Sequence, residues 1–162
     1  MRLTKLRREF FKRKPLEVAE DLVGCFLVRR VRKPKEESYT LAQISEVRAF
    51  EGIGRKMNPW GMRRLYGLFY LAPYRGRKLL NVTTTISPSM PSCVWIYSAR
   101  IEGEEYGPSQ LVRELKIDER FDGLSVESEE LFFLKGRAQE IEESRWSNAP
   151  RNYVGGFKLR IP

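Results

Sequence analysis

The stretch QISEVRAFEG, residues 43–52, decides how the fold is organised. Its side chains alternate in character as in a β-strand, where successive residues point to opposite faces. Strict alternation places every second residue on one face, namely Ile44, Glu46, Arg48 and Phe50. The opposite face then carries Ser45, Val47, Ala49 and Glu51. The first face joins a carboxylate, a guanidinium and an aromatic ring, which is typical of an active-site strand or of an ion-paired strand in an ordinary sheet.

Strands and helices are predicted on both sides of this stretch. Residues 25–32 and 40–50 read as two strands of an antiparallel hairpin, joined by the polar turn 33–38. Helices are predicted over 13–24 and 107–117, each with a proline near its start. Further strands are predicted over 79–86, 93–101 and 152–161, and an irregular loop over 51–67. This order lacks βαβ alternation and therefore predicts the α+β class with a mostly antiparallel sheet.

Length and composition narrow the class of protein. The 162 residues, 41% of them hydrophobic, predict a single domain over 1–162 with its own core. Cys25 and Cys93 lie in apolar runs and are expected to be packed free thiols. The absence of histidine excludes Ser-His and Cys-His nucleophilic machinery, and no zinc site or cofactor is expected. No apolar run is long enough to cross a membrane and the N-terminus lacks a secretory signal, so we expect no membrane contact and a cytoplasmic location. The protein is expected to be a nucleoid-associated, prokaryotic monomer.

Charge is the most informative global feature. The net charge is +9, and residues 1–81 hold 20 lysines and arginines against 8 carboxylates, whereas residues 82–162 hold 10 against 13. Residues 52–101 contain no carboxylate at all. Such asymmetry predicts a polyanionic partner, and nucleic acid is the common case. The 31% charged content also points to a thermophilic source.

The segment 60–78, WGMRRLYGLFYLAPYRGRK, interleaves aromatic and basic side chains. Aromatic rings stack on bases or wedge between them, while arginine and lysine hold phosphates. We therefore predict a nucleic-acid surface with backbone contacts from Arg63, Arg64, Arg75, Arg77 and Lys78. The alternative is that the apolar residues of the segment belong to the core and the arginines are merely solvated.

Several segments, in order along nearly the whole chain, resemble one family. The opening LRREFFKRKPLEVAEDLVGCFLVRR, the strand ISEVRAFEG, the run LLNVTTT, the strand CVWIYSARIEG, the helix region GPSQLVRELKIDERFDGLSV and the terminal RWSNAPRNYVGGF are similar to segments of the monofunctional alkyladenine (3-methyladenine) DNA glycosylases of the mammalian type. This resemblance implies an α+β glycosylase fold that binds duplex DNA, flips a damaged base and cleaves its glycosidic bond in base-excision repair without a metal.

The resemblance also implies roles for single residues. Tyr74 matches the tyrosine that replaces the flipped base, with Tyr66 and Tyr70 as alternatives. Phe50 takes the place of the base-stacking tyrosine, while Asn81 and Tyr97 fall at base-pocket positions. The position of the catalytic glutamate holds Arg48, and Glu46 lies two residues away on the same predicted face. Glu46 is therefore either a substitute base or the ion-pair partner of Arg48.

Three hypotheses for function follow from these observations. The first is a DNA-repair glycosylase that probes bases and excises alkylated purines. The second is a non-hydrolytic DNA-binding or damage-recognition module on the same fold, in which Arg48 holds a phosphate or a base edge. The third is a domain that binds RNA or a small molecule and has no role in repair.

Overall fold

The computed structural model describes residues 4–52, 60–137, 140–145 and 153–161, and the strands among them form one sheet. The helices are α1 (Pro15–Leu22) and α2 (Pro108–Glu114), and short 3-10 helices span Arg8–Phe11, Trp60–Arg63 and Glu119–Phe121. The strands of the described residues are β1 (Phe26–Lys33), β2 (Glu36–Gly52), β3 (Phe69–Tyr74), β4 (Arg77–Thr83), β5 (Ser92–Ile101), β6 (Glu104–Tyr106), β7 (Leu131–Leu134), β8 (Glu142–Arg145) and β9 (Tyr153–Arg160).

The sheet is antiparallel and is organised around β2. Its main path runs β3-β4-β5-β2-β1-β7, while β6 pairs with β5, β9 pairs with β2, and β8 pairs with β9. β2 meets β1 along its first half and both β5 and β9 along its second half. The predicted α+β class and mostly antiparallel sheet are therefore confirmed. Among the described residues, no helix is long and apolar enough to cross a membrane.

The predicted hairpin of β1 and β2 is confirmed, although its turn is shorter than 33–38. The last paired residues are Lys33 and Glu36, so two residues make the connection. The helix predicted over 13–24 is also confirmed, with tighter limits. Pro15 occupies its first position because proline needs no hydrogen-bonded N–H there, and Gly24 follows its end with a φ of 89°.

One hydrophobic core lies between one face of the sheet and the two helices. It contains Val18 and Leu22 of α1 together with Leu111 and Leu115 at α2, and it includes rings from distant parts of the chain. The Phe133 ring lies 5.5 Å from both Phe11 and Phe69, measured between ring centroids. Truncating such a buried ring costs about 3–5 kcal/mol, so this cluster ties the N-terminal segment to the sheet.

The alternation of β2 breaks at Ser45–Glu46. The ladder with β5 is irregular there and regular on either side, where Ile44 pairs with Ala99 and Val47 with Ile96. Ile44 and Val47 are three residues apart, yet both are fully buried in the same core. The prediction that Ile44 shares a face with Arg48 is therefore wrong, because a local irregularity turns the strand over by one face.

Some strands were not predicted from the sequence. β3 lies within the segment read as a nucleic-acid surface, and its residues Phe69 and Leu71 are buried in the core. β6 has three residues, two of them acidic, and β7 has four, so both are too short to show a periodic pattern. The irregular loop predicted over 51–67 lies partly outside the described residues, and its end contains the 3-10 helix Trp60–Arg63.

Gly67 offers a test of how tightly the N-terminal segment is packed on the sheet. A Cβ atom there would lie 2.9 Å from the Cα of Arg8, and the residue has a φ of +78°. Gly103 has a similar φ of +83°, and among the described residues no atom lies within 4 Å of a Cβ added there. Both alanine variants carry the left-handed backbone cost of about 1–2 kcal/mol. Gly67→Ala is expected to lose roughly 1–3 kcal/mol more than Gly103→Ala in urea unfolding, because only it overpacks. Equal losses in the two variants contradict the close approach of Arg8.

Candidate nucleic-acid interface

Four strands place a row of functional side chains on the face opposite the core. In the register of the sheet Tyr70 pairs with Asn81, Asn81 with Trp95, and Trp95 with Arg48. Directly paired residues of antiparallel strands share a face. The row therefore crosses β3, β4, β5 and β2 on one surface, which we call the site face.

The site face has an apolar floor of its own. A second buried cluster, separate from the main core, contains Phe50, Met62, Tyr70 and Cys93, and Trp95 packs against it. Phe50, predicted as a base-stacking residue, is 8% exposed within this cluster. The predicted stacking residue thus lies on the site face, packed against its neighbours.

Glu46 and Arg48 form an ion pair on the site face. The Nη2 of Arg48 donates to Oε2 of Glu46 at 3.3 Å, and the two side chains are only 15% and 11% exposed. Charges this far removed from water interact more strongly than surface pairs, which contribute little. Two roles were predicted for Glu46, and the ion pair with Arg48 is the one that this structure contains.

Two aromatic rings hold the Arg48 guanidinium in place. Its Cζ lies 3.8 Å from the ring centroid of Tyr97 and 5.3 Å from that of Trp95. The two rings meet edge to face, with centroids 4.9 Å apart. A cation over an aromatic face is stabilised by the ring quadrupole, most strongly where water is excluded. Tyr97, predicted as a pocket residue, therefore acts on the position of Arg48.

Asn81 is the buried member of this row on β4 and has two hydrogen bonds. Its Nδ2 donates to the carbonyl of Leu79 at 3.2 Å, and its Oδ1 lies 3.4 Å from the Cys93 sulfur. Burial raises the pKa of the Cys93 thiol well above its ordinary value, so the thiol stays protonated and can donate. Cys25 and Cys93 are both free and buried, as predicted.

A polar cluster lies at the break in β2. The hydroxyls of Ser45 and Ser98 are 2.9 Å apart, and both donate to Oε1 of Glu105, at 2.8 and 3.3 Å. Ser45 and Ser98 are buried, so these bonds satisfy polar groups that would otherwise be costly to bury. Glu105 on β6 therefore supports the irregular segment that turns Glu46 toward the site face.

Tyr74 protrudes at the tip of the β3–β4 hairpin. Its side chain is 54% exposed, and it pairs with Arg77 across a turn formed by Arg75 and Gly76. Both turn residues have positive φ, 47° and 75°, which matches the twist of a two-residue hairpin. The Arg75 guanidinium lies 5.3 Å from the Tyr74 ring centroid, so a cation accompanies the exposed ring.

The other two candidate wedge tyrosines are packed. Tyr66 is half-buried against the main core, with Arg8 and Lys12 over its ring. Tyr70 is 5% exposed in the second cluster. Of the three tyrosines, only Tyr74 is placed to enter a base stack without rearrangement of the sheet.

The predicted phosphate contacts differ in their surroundings. Arg75, Arg77 and Lys78 are exposed on the hairpin, and Arg63 is half-buried at the end of a 3-10 helix. Arg64 donates two hydrogen bonds to Asp122, at 2.8 and 3.1 Å, and this bonding raises the pKa of Arg64. Burial alone would raise the pKa of Asp122, but hydrogen bonds from Arg64 and the Leu71 N–H lower it. Arg64 thus joins two parts of the fold, and its phosphate contact stays a prediction.

Comparison with known proteins adds no identification. No family model matches the chain, and no curated protein matches it. Within the described residues, no three Asp, Glu or Cys side chains come together as metal ligands. The assignment of function therefore depends on the geometry of the chain itself.

Sequence reasoning missed several residues of the site. Trp95 was read only as part of a strand, although alternation from Tyr97 would have placed it on the same face. Met62 belongs to the apolar cluster of the site face, but it comes from a segment without periodicity. Nothing in the local sequence indicates that it is buried there. Glu105 reaches Ser45 from 60 residues away, a contact that only the tertiary structure provides.

The coupling between Glu46 and Arg48 can be measured by a double-mutant cycle. Glu46→Gln leaves a mostly buried guanidinium without its carboxylate. This substitution is therefore expected to lower the free energy of unfolding more in the wild-type protein than in the Arg48→Gln variant. We expect a coupling of about 1–3 kcal/mol in urea unfolding. The exposed pair Glu142–Arg160, joined at 3.0 Å, is the matched control. Its coupling is expected below about 1 kcal/mol, and equal couplings in the two pairs would show that the Glu46–Arg48 pair has no special environment.

Proposed function

We propose that the chain is a duplex-DNA-binding protein that probes bases, on a fold of the alkyladenine glycosylase type. The observation that carries this proposal is the β3–β4 hairpin. It presents an exposed tyrosine at its tip, accompanied by Arg75, Arg77 and Lys78. An aromatic wedge flanked by cations matches a DNA groove, where the ring enters the base stack and the cations contact phosphates.

The site face supports the part of the proposal that concerns the probing of bases. Arg48 donates and Glu46 accepts, and the rings of Trp95 and Tyr97 lie beside them. This combination suits a nucleobase, whose edge carries donors and acceptors and whose face stacks on aromatics. Because Glu46 is bonded to Arg48, base recognition without hydrolysis is the reading that the geometry favours.

The hairpin tyrosine gives the direct test of DNA binding. Tyr74→Ala is expected to weaken duplex binding by about 1–3 kcal/mol, roughly five- to 150-fold, because the stacking of one ring is lost. Anisotropy of a labelled duplex measures the affinity, and 2-aminopurine fluorescence reports unstacking. Tyr39→Ala is the control, since Tyr39 is similarly exposed at 51% but lies on the β1–β2 hairpin.

Two results would contradict this function. One is equal binding by the Tyr74→Ala and Tyr39→Ala variants. The other is an affinity that does not fall with rising salt, since every protein that neutralises phosphates releases counterions on binding.

A second candidate is hydrolysis of the glycosidic bond with Glu46 as the base. The observation in its favour is that the Glu46 carboxylate lies on the site face beside Arg48, the residue at the family's catalytic position. Positive charge develops on the sugar during cleavage, and a guanidinium opposes it. Glu46 would have to offset that charge and also orient the attacking water.

Base release distinguishes the two candidates. Duplexes that carry 7-methylguanine, 3-methyladenine, hypoxanthine or ethenoadenine are incubated with the protein and scored for abasic sites. If Glu46 is the base, Glu46→Gln is expected to slow release by about 10²–10⁴. The exposed Glu142 serves as the control substitution to glutamine. Binding by the wild-type protein with no release from any duplex would contradict hydrolysis and leave the recognition function standing.

A further inference from the structure

A basic groove lies between α2 and β4, beside the hairpin. Its volume is about 260 Å³, and its lining is formed by Arg77, Lys78, Ser109, Val112 and Arg113. Three of these five residues are cationic, and the described lining contains no carboxylate. Like charges brought together in this way repel one another, and an anion in the groove would relieve that repulsion.

The groove continues the surface of the hairpin. Arg77 pairs directly with Tyr74 in the sheet, and its Nη1 donates to Oγ of Ser109 on α2 at 3.3 Å. The helix is therefore in contact with β4, the strand that pairs with the one carrying Tyr74. Arg77 therefore belongs both to the hairpin and to the lining of the groove.

The charges of the groove are only weakly balanced. The Nζ of Lys78 lies 3.9 Å from Oε1 of Glu119, a side chain that is 87% exposed and so gives weak compensation. Arg113 is exposed on α2, and among the described residues no ion pair involves it. Val112 also lines the groove, and its buried side chain holds α2 against the core. Arg113 is thus presented by a helix that packs on the core, and Arg77 and Lys78 by β4.

We propose that this groove binds the phosphate backbone of the DNA strand next to the hairpin, with Arg113 as a phosphate ligand contributed by α2. The proposal rests on the DNA-binding function and extends its surface from the hairpin to a helix. Phosphodiesters fit the groove because arginine and lysine side chains bind phosphate oxygens through charge, and such contacts carry no sequence information. The contact therefore adds affinity equally on damaged and undamaged duplexes.

The test measures affinity across a salt series for the full chain and its variants. Arg113→Gln is expected to lower the slope of log K against log[salt] by about 0.9, and to weaken binding about eightfold at 0.1 M salt, because one phosphate contact is lost. Arg113→Lys keeps the charge and is expected to keep the slope. Arg32→Gln is the matched control, since Arg32 is an exposed arginine on β1, three strands away from β4 in the sheet.

The outcomes separate the groove from the hairpin. If the wild-type protein binds DNA and Tyr74→Ala weakens it, but Arg113→Gln behaves as Arg32→Gln, the groove proposal alone is overturned. If Arg113→Gln lowers the slope while Tyr74→Ala has no effect, the groove stands and the wedge fails. An absence of salt-dependent binding by the wild-type protein overturns both.

A free anion is the other possible occupant. Inorganic phosphate, added at constant ionic strength, is expected to leave duplex binding by the wild-type protein unchanged. Competition that is stronger for the wild-type protein than for Arg113→Gln would assign the groove to free phosphate and overturn the proposal. The thermal unfolding of each variant is compared with that of the wild type, and Lys78→Gln provides a second variant if Arg113→Gln is unstable.

Discussion

The pairing of β2 with β5 is the constraint on which the rest of the structure depends. The two strands keep one register from Gln43–Arg100 to Glu51–Ser92, but the ladder is irregular over Ser45–Glu46. Both strands lose their alternation there together, since Ile44 and Val47 of one and Ile96 and Ala99 of the other all belong to the main core. The core stays continuous across the break, and the side chain of Glu46 is directed to the site face beside Arg48.

The break is stable because its polar groups are satisfied. Glu105 accepts hydrogen bonds from the two serines at the irregular positions, and the N–H of Ile161 donates to the Ser45 carbonyl at 2.8 Å. A buried hydroxyl or carbonyl without such partners would cost about 1–3 kcal/mol. The short strand β6 and Ile161, the residue after β9, thus both contribute to the position of the ion pair.

The site face and the hairpin are linked through β3 and β4. Tyr70 and Asn81 lie on the site face, and the same two strands continue to the turn that presents Tyr74. A base displaced at the hairpin would therefore be near a surface that already contains stacked rings, a donor and an acceptor. The α2–β4 groove lies on the other side of the sheet, where α2 packs on the core, and Arg77 connects it to the hairpin through Ser109.

The sequence by itself determined the elements that rest on local chemistry. Pro15 and Gly24 bound α1, the alternation of residues 25–32 and 40–50 indicates the β1–β2 hairpin, and the charge asymmetry predicts a polyanionic partner. β3 could not be predicted, because its run of apolar residues lies among arginines and reads as a binding surface. Only the tertiary structure decided that Ile44 leaves the face of Arg48, that Glu46 pairs with that arginine, and that Arg113 lies beside the hairpin. These features come from contacts between residues far apart in the chain. A local sequence pattern does not indicate which distant strand will pair with it.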